Sequence, residues 1–309
     1  MTFPFRMPIA RIRDIDLAYD VRGEGDPILL VMGFSAQMVM WEEDFCDLLA
    51  GLGFRVIRFD NRDVGQSSKL DHLGVPNVRE LLAKSIVGLP FRPPYTLEDM
   101  ANDALGLLDH LGIDRCHVVG ASMGGMIAQT MAVRAPHRLY SLTSIMSSPG
   151  GRRYSVGKPE ALFALIKPAP RDREGNVEHF TALIRTISGE GYPFPEERLR
   201  KLGELQFDRG ISPKGNARQF AAILDSDRRR RKLLPSIHLP TLVIHGTDDP
   251  LLPIRAGRAT AKLIPGAQFL AVPGMGHDLP PDAFPLLAGA IATHARRSHH
   301  LAAKRRAGT

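Results

Sequence analysis

Apolar positions along the chain fall into two rhythms. In the stretch IDLAYDVRG, Ile15, Leu17, Tyr19 and Val21 share one face, the period of a half-buried strand, and residues 23–26 (GEGD) read as the turn after it. The runs PILLVM, FRVIRFD, CHVVG, SLTSIM, TLVIHG and QFLAVPG are instead nearly continuous in apolar residues. Strands covered on both faces of a sheet have this composition. Between them the period lengthens to that of a helix. Met40, Phe45, Leu48 and Leu49 fit one side of a helix. Leu97, Met100, Ala104, Leu107, Leu108 and Leu111 form a stripe that Thr96 and Asp99 start as N-cap and partner and Gly112 ends. MIAQTMAVRAP predicts a helix stopped by Pro136, and DAFPLLAGAIATHAR predicts the last one. Strands alternating with helices predict an α/β fold, a mostly parallel sheet with helices on both faces.

The alternation breaks over residues 150–235. This stretch is rich in Pro and Gly, has no strand-like run, and is too long for a plain loop. Helical candidates near 158–167, 176–188, 195–205 and 214–225 predict an inserted helical cap. The expected organisation is a core of residues 1–149 and 236–295, a cap of 150–235, and a basic, disordered tail of 296–309.

Composition changes this picture little. The chain has 309 residues, 44% of them hydrophobic, and a net charge of +7. The tail supplies five of those positive charges and no acid, and the run at 228–232 follows Asp225 and Asp227. A solvated helix face or linker is the expectation there, not a nucleic-acid site, since no nucleic-acid motif accompanies it. No stretch is long and apolar enough to insert in a membrane, and the N-terminus lacks a secretory h-region. Cys46 and Cys116 sit in apolar segments, as buried thiols do in a reducing compartment. A cytoplasmic protein is expected, and nothing in the sequence argues against a homodimer.

Chemistry concentrates at a few points. Gly120-Ala121-Ser122-Met123-Gly124 is a G-x-S-x-G sequence with a strand before it and a helix after it. Small neighbours allow a sharp turn that lifts the serine above the sheet, and the N–H of Met123 then opens a helix, where it can face a developing oxyanion. The plainer reading is a Gly-rich turn with a bystander serine. A phosphate loop would need a lysine close behind, and the first is Lys158. A serine nucleophile needs a base, and the base needs an acid. His277, just past the last predicted strand, is the candidate base, against His245 and His117, which read as strand-end structural groups. No Asp or Glu occurs between Asp114 and Glu160, so the acid is one of the pair Asp248 and Asp249 after TLVIHG. Adjacent residues on an extended chain point apart, so only one of them serves His277. The second oxyanion donor is expected from the loop at Gly33 and Phe34. No cluster of His, Cys, Asp and Glu in the sequence suggests a metal site.

Taken in order, GFSAQMVMW, RFDNRDVGQSS, GASMGG, HGTDDPLLP and PGMGH resemble the α/β-hydrolase superfamily over nearly the whole chain. The wording is closest to anthracycline methyl-esterases and cofactor-free haloperoxidase-like esterases. The family pattern G-x-x-D-x-x-x-P, matched from Gly246 to Pro253, implies Asp249 as the acid and leaves Asp248 to the turn. The resemblance also implies an oxyanion hole of Phe34 and Met123 N–H groups, with Met32 standing where many relatives carry a His that braces this loop. Asp60, Arg62, Gly65 and Ser67 match a structural turn of the family, and Trp41 a packing position. The implied reaction is cofactor-free hydrolysis of a small or medium apolar carboxylic ester, including lipase-like substrates. Thioester, lactone or perhydrolase chemistry on the same residues, and a small-ligand receptor, stand as alternatives. Aminopeptidase relatives hold an amine with cap acids, for which Glu174, Glu178, Glu196, Glu197 and Glu204 are candidates. Gly33, Phe34, Met123, Phe163 and Leu183 are the expected substrate contacts.

Overall fold

The computed structural model describes residues 7–307. The strands are β1 (Ile9–Ile12), β2 (Ile15–Arg22), β3 (Asp26–Val31), β4 (Phe54–Phe59), β5 (Cys116–Ala121), β6 (Leu139–Ile145), β7 (Thr241–Gly246) and β8 (Gln268–Val272). They form one sheet in the order β1-β2-β4-β3-β5-β6-β7-β8. β1 and β2 pair antiparallel, as do β2 and β4, and every later neighbour is parallel. The helices are α1 (Glu43–Gly51), α2 (Val78–Val87), α3 (Leu97–His110), α4 (Met123–Arg134), α5 (Arg152–Ser155), α6 (Pro159–Ile166), α7 (Arg173–Ile187), α8 (Glu196–Arg209), α9 (Pro213–Leu233), α10 (Arg255–Leu263) and α11 (Phe284–Ala307).

Strand β3 shows why the apolar runs are continuous. Leu29 and Val31 pack into the core under α3 and α4, while Ile28 and Leu30 pack into the core under α1 and α11. Successive side chains leave a strand on opposite faces, so a strand covered twice needs apolar residues at every position. Helix α3 begins as expected. Thr96 Oγ1 accepts from the Asp99 N–H and the Asp99 carboxylate accepts from the Thr96 N–H, which satisfies two otherwise unpaired donors.

Helices α5 to α9 all lie between β6 and β7. They form a layer over the C-terminal ends of the strands, with a small apolar cluster of its own around Ala161, Ile184, Ile187 and Leu199. α2, outside the expected 150–235 range, packs against α9.

Several expectations need correction. Leu48 is 38% exposed, because the buried side of α1 runs through Phe45, Cys46 and Leu49 and leaves Leu48 at its edge, and Met40 lies before the helix in a short 3-10 turn over Met38–Met40. The basic run is not wholly solvated. Arg230 is buried and donates to Gln129 Oε1, Ser226 Oγ and the Ser148 carbonyl, and burial lowers its pKa to about 10. The basic tail does not break away at 296, because α11 continues through it. Arg296 donates to the Leu52 carbonyl at 2.6 Å and Ser298 is buried. Residues 308 and 309 lie outside the described residues. Among the described residues no helix is long and apolar enough to cross a membrane. Cys46 and Cys116 are free and buried, and burial pushes their thiols up to about 11 and about 12.

Candidate active site

Ser122 follows β5 and stands one residue before α4, with φ 55° and ψ −119°. A non-glycine residue in the left-handed region is strained, and such strain persists only where its surroundings hold it. Here the surroundings are main chain. A Cβ at Gly120 would lie 2.1 Å from the Gly124 carbonyl oxygen, and one at Gly124 would lie 2.0 Å from that of Val31. Both glycines are therefore steric requirements of the turn. The Ser122 N–H donates to the Ile145 carbonyl at 2.9 Å, and Ser147 Oγ donates to the Ser122 carbonyl at 2.8 Å.

Two main-chain segments flank the serine. Met123 is the first residue of α4, where an N–H has no acceptor within the helix. Its side chain is 1% exposed in the core. What Met123 can offer a ligand is therefore its backbone N–H, the group expected from sequence, and not its side chain. On the other side, a Cβ at Gly33 would meet Ser122 Cβ at 3.1 Å, so the residue 33–34 loop adjoins Ser122. Phe34 is half-buried, its ring edge-on to Phe220 of α9 at 6.1 Å. The brace that Met32 does not supply comes from Asn61, whose Nδ2 donates to the Met32 carbonyl at 2.9 Å. Sequence reasoning passed over Asn61, although it lies within the motif RFDNRD.

The two carboxylates at the end of β7 differ sharply. Asp249 is buried. Its Oδ1 accepts from the N–H groups of Leu251 and Leu252 at 2.9 and 2.8 Å, and its Oδ2 lies 2.8 Å from His277 Nδ1. His277 Nε2 lies 2.9 Å from Ser122 Oγ. Burial alone would raise the Asp249 carboxyl, but the neighbouring His277 and hydrogen bonds from His245 and His277 outweigh it and leave the pKa at about 2. Asp248 is exposed and accepts only from Thr247 Oγ1. The turn-bonding role expected of Asp248 falls instead to Asp249, which bonds the turn with one oxygen and His277 with the other.

His277 is held from the cap side. Its N–H donates to the Ile187 carbonyl at the end of α7 at 2.7 Å, and Ser188 Oγ donates to Asp278 at 2.9 Å. Burial pushes the Asp278 carboxyl up. Gly276 has Gly189 N where a Cβ would reach, at 2.1 Å. His245 is the strand-end group it was expected to be, with Nε2 2.6 Å from the Leu252 carbonyl. Its distance of 3.4 Å from Asp249 Oδ2 was not foreseen.

The structure brings Ser122, His277, Asp249, Gly33, Phe34 and the Met123 N–H to one rim of the sheet. It does not bring Phe163 there. Phe163 lies on the outer face of α6, 67% exposed, because Ala161, Leu162 and Leu165 make the inward contacts of that helix. Leu183 is half-buried within the cap's own apolar cluster. Elsewhere, the donor atoms of Asp26, His117 and His299 lie within 4.8 Å of one another, a grouping invisible in a sequence where they stand far apart.

The family model for the alpha/beta hydrolase fold matches residues 26–283. The chain belongs to the α/β-hydrolase family. It is 30% identical to a protein named rhodomycin D methylesterase from Streptomyces sp. (strain C5), over 94% of this chain and 99% of that one. It is 26% identical to a putative non-heme bromoperoxidase of Mycobacterium tuberculosis, over 85% and 91%. A thermophilic esterase from Thermogutta terrifontis superposes with a TM-score of 0.64 at 31% identity, covering 92% of this α/β hydrolase and 94% of the esterase.

Proposed function

We propose that this α/β hydrolase is a cytoplasmic serine esterase that cleaves a carboxylic ester of a small or medium apolar substrate through a Ser122–His277–Asp249 triad. The observation that carries the reading is the unbroken line from Asp249 Oδ2 through His277 to Ser122 Oγ, at 2.8 and 2.9 Å. Both are within the reach that proton transfer between base and nucleophile needs. The methylesterase and esterase names of its relatives support an ester as substrate, and the two buried reduced thiols support the cytoplasm.

The scheme is acyl transfer in two halves. Ser122 Oγ attacks the ester carbonyl as its proton moves to His277 Nε2, and Asp249 stabilises the imidazolium that forms. The carbonyl oxygen, now negative, is received by the N–H groups of Phe34 and Met123, each worth on the order of 10²–10³ in turnover by comparison with other oxyanion donors. Collapse breaks the ester C–O bond. The alcohol leaves with the proton from His277, and Ser122 is acylated. Water then gives a proton to His277 as it attacks the acyl carbon, and collapse breaks the acyl–Oγ bond, His277 returning the proton to Ser122 Oγ as the acid is released. No step calls on a metal or an organic cofactor.

The test is hydrolysis of a series of p-nitrophenyl and methyl esters of increasing acyl size. The expected result is turnover that peaks at short or medium acyl chains and disappears in Ser122→Ala. Turnover that survives Ser122→Ala in the purified protein would sink the proposal.

A further inference from the structure

At the opposite end of the strands from Ser122, three residues from three elements converge. Asp26 opens β3, His117 is the second residue of β5, and His299 lies on α11. From His117 to Ser122 the chain advances five residues, about 16 Å at strand rise, so this grouping is separate from the proposed esterase site.

Ordinary packing explains only half of its polar atoms. His117 Nδ1 lies 2.8 Å from Ser141 Oγ, and His299 Nδ1 lies 3.1 Å from Asp26 Oδ2. Both Nε2 atoms are buried without a hydrogen-bond partner. His117 is 1% exposed. A pair of buried, unpartnered ring nitrogens is costly unless something accepts their lone pairs or protons.

The geometry matches metal ligation. Histidines that bind metals turn the other ring nitrogen to a carboxylate, a carbonyl or another oxygen, as His117 does toward Ser141 Oγ. Two imidazoles on one tetrahedral ion, with bonds of about 2.0 Å, stand about 5 Å apart centre to centre. The His117 and His299 rings are 4.9 Å apart. The Tyr140 ring fixes both, at 5.3 and 4.1 Å. The three donor atoms spread over at most 4.8 Å, wider than the roughly 3.3 Å of a closed tetrahedral set. Asp26 and His299 are both partly exposed and can rotate inward.

We propose that His117, His299 and Asp26 form a binding site for a divalent transition-metal ion of the zinc class, which clips the end of α11 to the N-terminal edge of β3 and β5. Two imidazoles and a carboxylate suit such an ion better than magnesium or calcium, which take oxygen ligands. With Asp26 at the surface, water completes the coordination. The ion's role is to tie down α11, not to take part in hydrolysis.

The experiment uses the full chain without a histidine tag, stripped with EDTA and titrated with Zn²⁺ by calorimetry, and with Co²⁺ by visible absorption. The expected result is one Zn²⁺ per chain, a rise of several degrees in melting temperature, and a tetrahedral-type Co²⁺ band. His299→Ala and Asp26→Asn, on the partly exposed side, should keep the fold and weaken Zn²⁺ binding at least tenfold. His117→Gln should abolish it. Hydrolysis of p-nitrophenyl esters should be the same with and without Zn²⁺. Failure of the wild-type chain to take up Zn²⁺, or uptake that His299→Ala and Asp26→Asn leave unchanged, would overturn the site.

Discussion

The rim of the sheet and the cap above it are held by different forces. At the rim, geometry comes from main chain pressed against main chain. Gly120 and Gly124 admit approaches that any side chain would block, Gly33 stands close against Ser122, and Ser122 sits strained between them. The cap is fastened largely by charge. Arg218 of α9 is fully buried and grips Asp63 with two hydrogen bonds of 2.8 and 2.7 Å, while Arg209 reaches Asp60 at 2.6 Å. Both acceptors lie in one loop, DNRDVGQSS, which also supplies Asn61 to brace the Met32 carbonyl, next to the segment proposed to receive the oxyanion. A loop that reads as a structural turn is thus the joint between the two regions. Reacting geometry is set by backbone shape, and cap placement by a few side-chain pairs.

The largest test of that contrast lies at the rim. Asp249→Asn should lower turnover on the order of 10⁴ with the fold intact, whereas the exposed Asp248→Asn should change it by less than a few-fold. Ester kinetics on both variants decide between the carboxylates, and the reverse ranking would break the rim account. Next is the cap joint. Arg218→Met leaves Asp63 buried with only Tyr95 Oη and the Leu70 N–H as partners. It should cost about 3–5 kcal/mol by denaturant unfolding. A negligible cost would mean that the cap is held by its apolar contacts instead.

Acid provides a third test, away from both regions. Because the folded-state pKa of His117 is about 3, below the 6.5 of a free imidazole, the unfolded chain takes up a proton that the folded chain refuses. This contribution to stability is full above pH 6.5 and falls as pH drops toward 3. Denaturant titrations in EDTA should show a shallower loss between pH 7 and pH 5 for His117→Gln than for wild type. An equal loss would contradict it. Smallest is Asn61→Ala, which removes one buried hydrogen bond from the Met32 carbonyl. It should cost about 1 kcal/mol, read as a roughly fivefold drop in kcat/KM with little change in melting temperature.

The two regions also differed in how far they could be read in advance. Seven of the strands and the elbow at Ser122 were legible, because continuous apolar runs and obligatory glycines are local signals. β1 was missed. It has only four residues, two of them exposed, and pairs along a single edge. Cap helices were legible as helices but not in their facing. Phe163 looked like a pocket residue, yet the register of α6 turns it outward, and period alone does not say which neighbour a helix meets. Arg230 read as part of a solvated basic run, while its partners Gln129 and Ser148 come from distant elements. The choice between Asp248 and Asp249 needed a family pattern, since the alternation of a strand end says that one carboxylate points inward but not which. The grouping of Asp26, His117 and His299 depends on strand order and on the length of α11, neither of which any short window carries.

The central claim is that Ser122 is an activated nucleophile and not a bystander in a Gly-rich turn. Intact-mass labelling with a fluorophosphonate tests it most directly, on wild type, Ser122→Ala and His277→Ala. The account predicts rapid addition of one adduct to wild type and none to either variant on the same time scale. A folded wild-type protein that stays unlabelled, or one in which Ser122→Ala labels as fast as wild type, would contradict it.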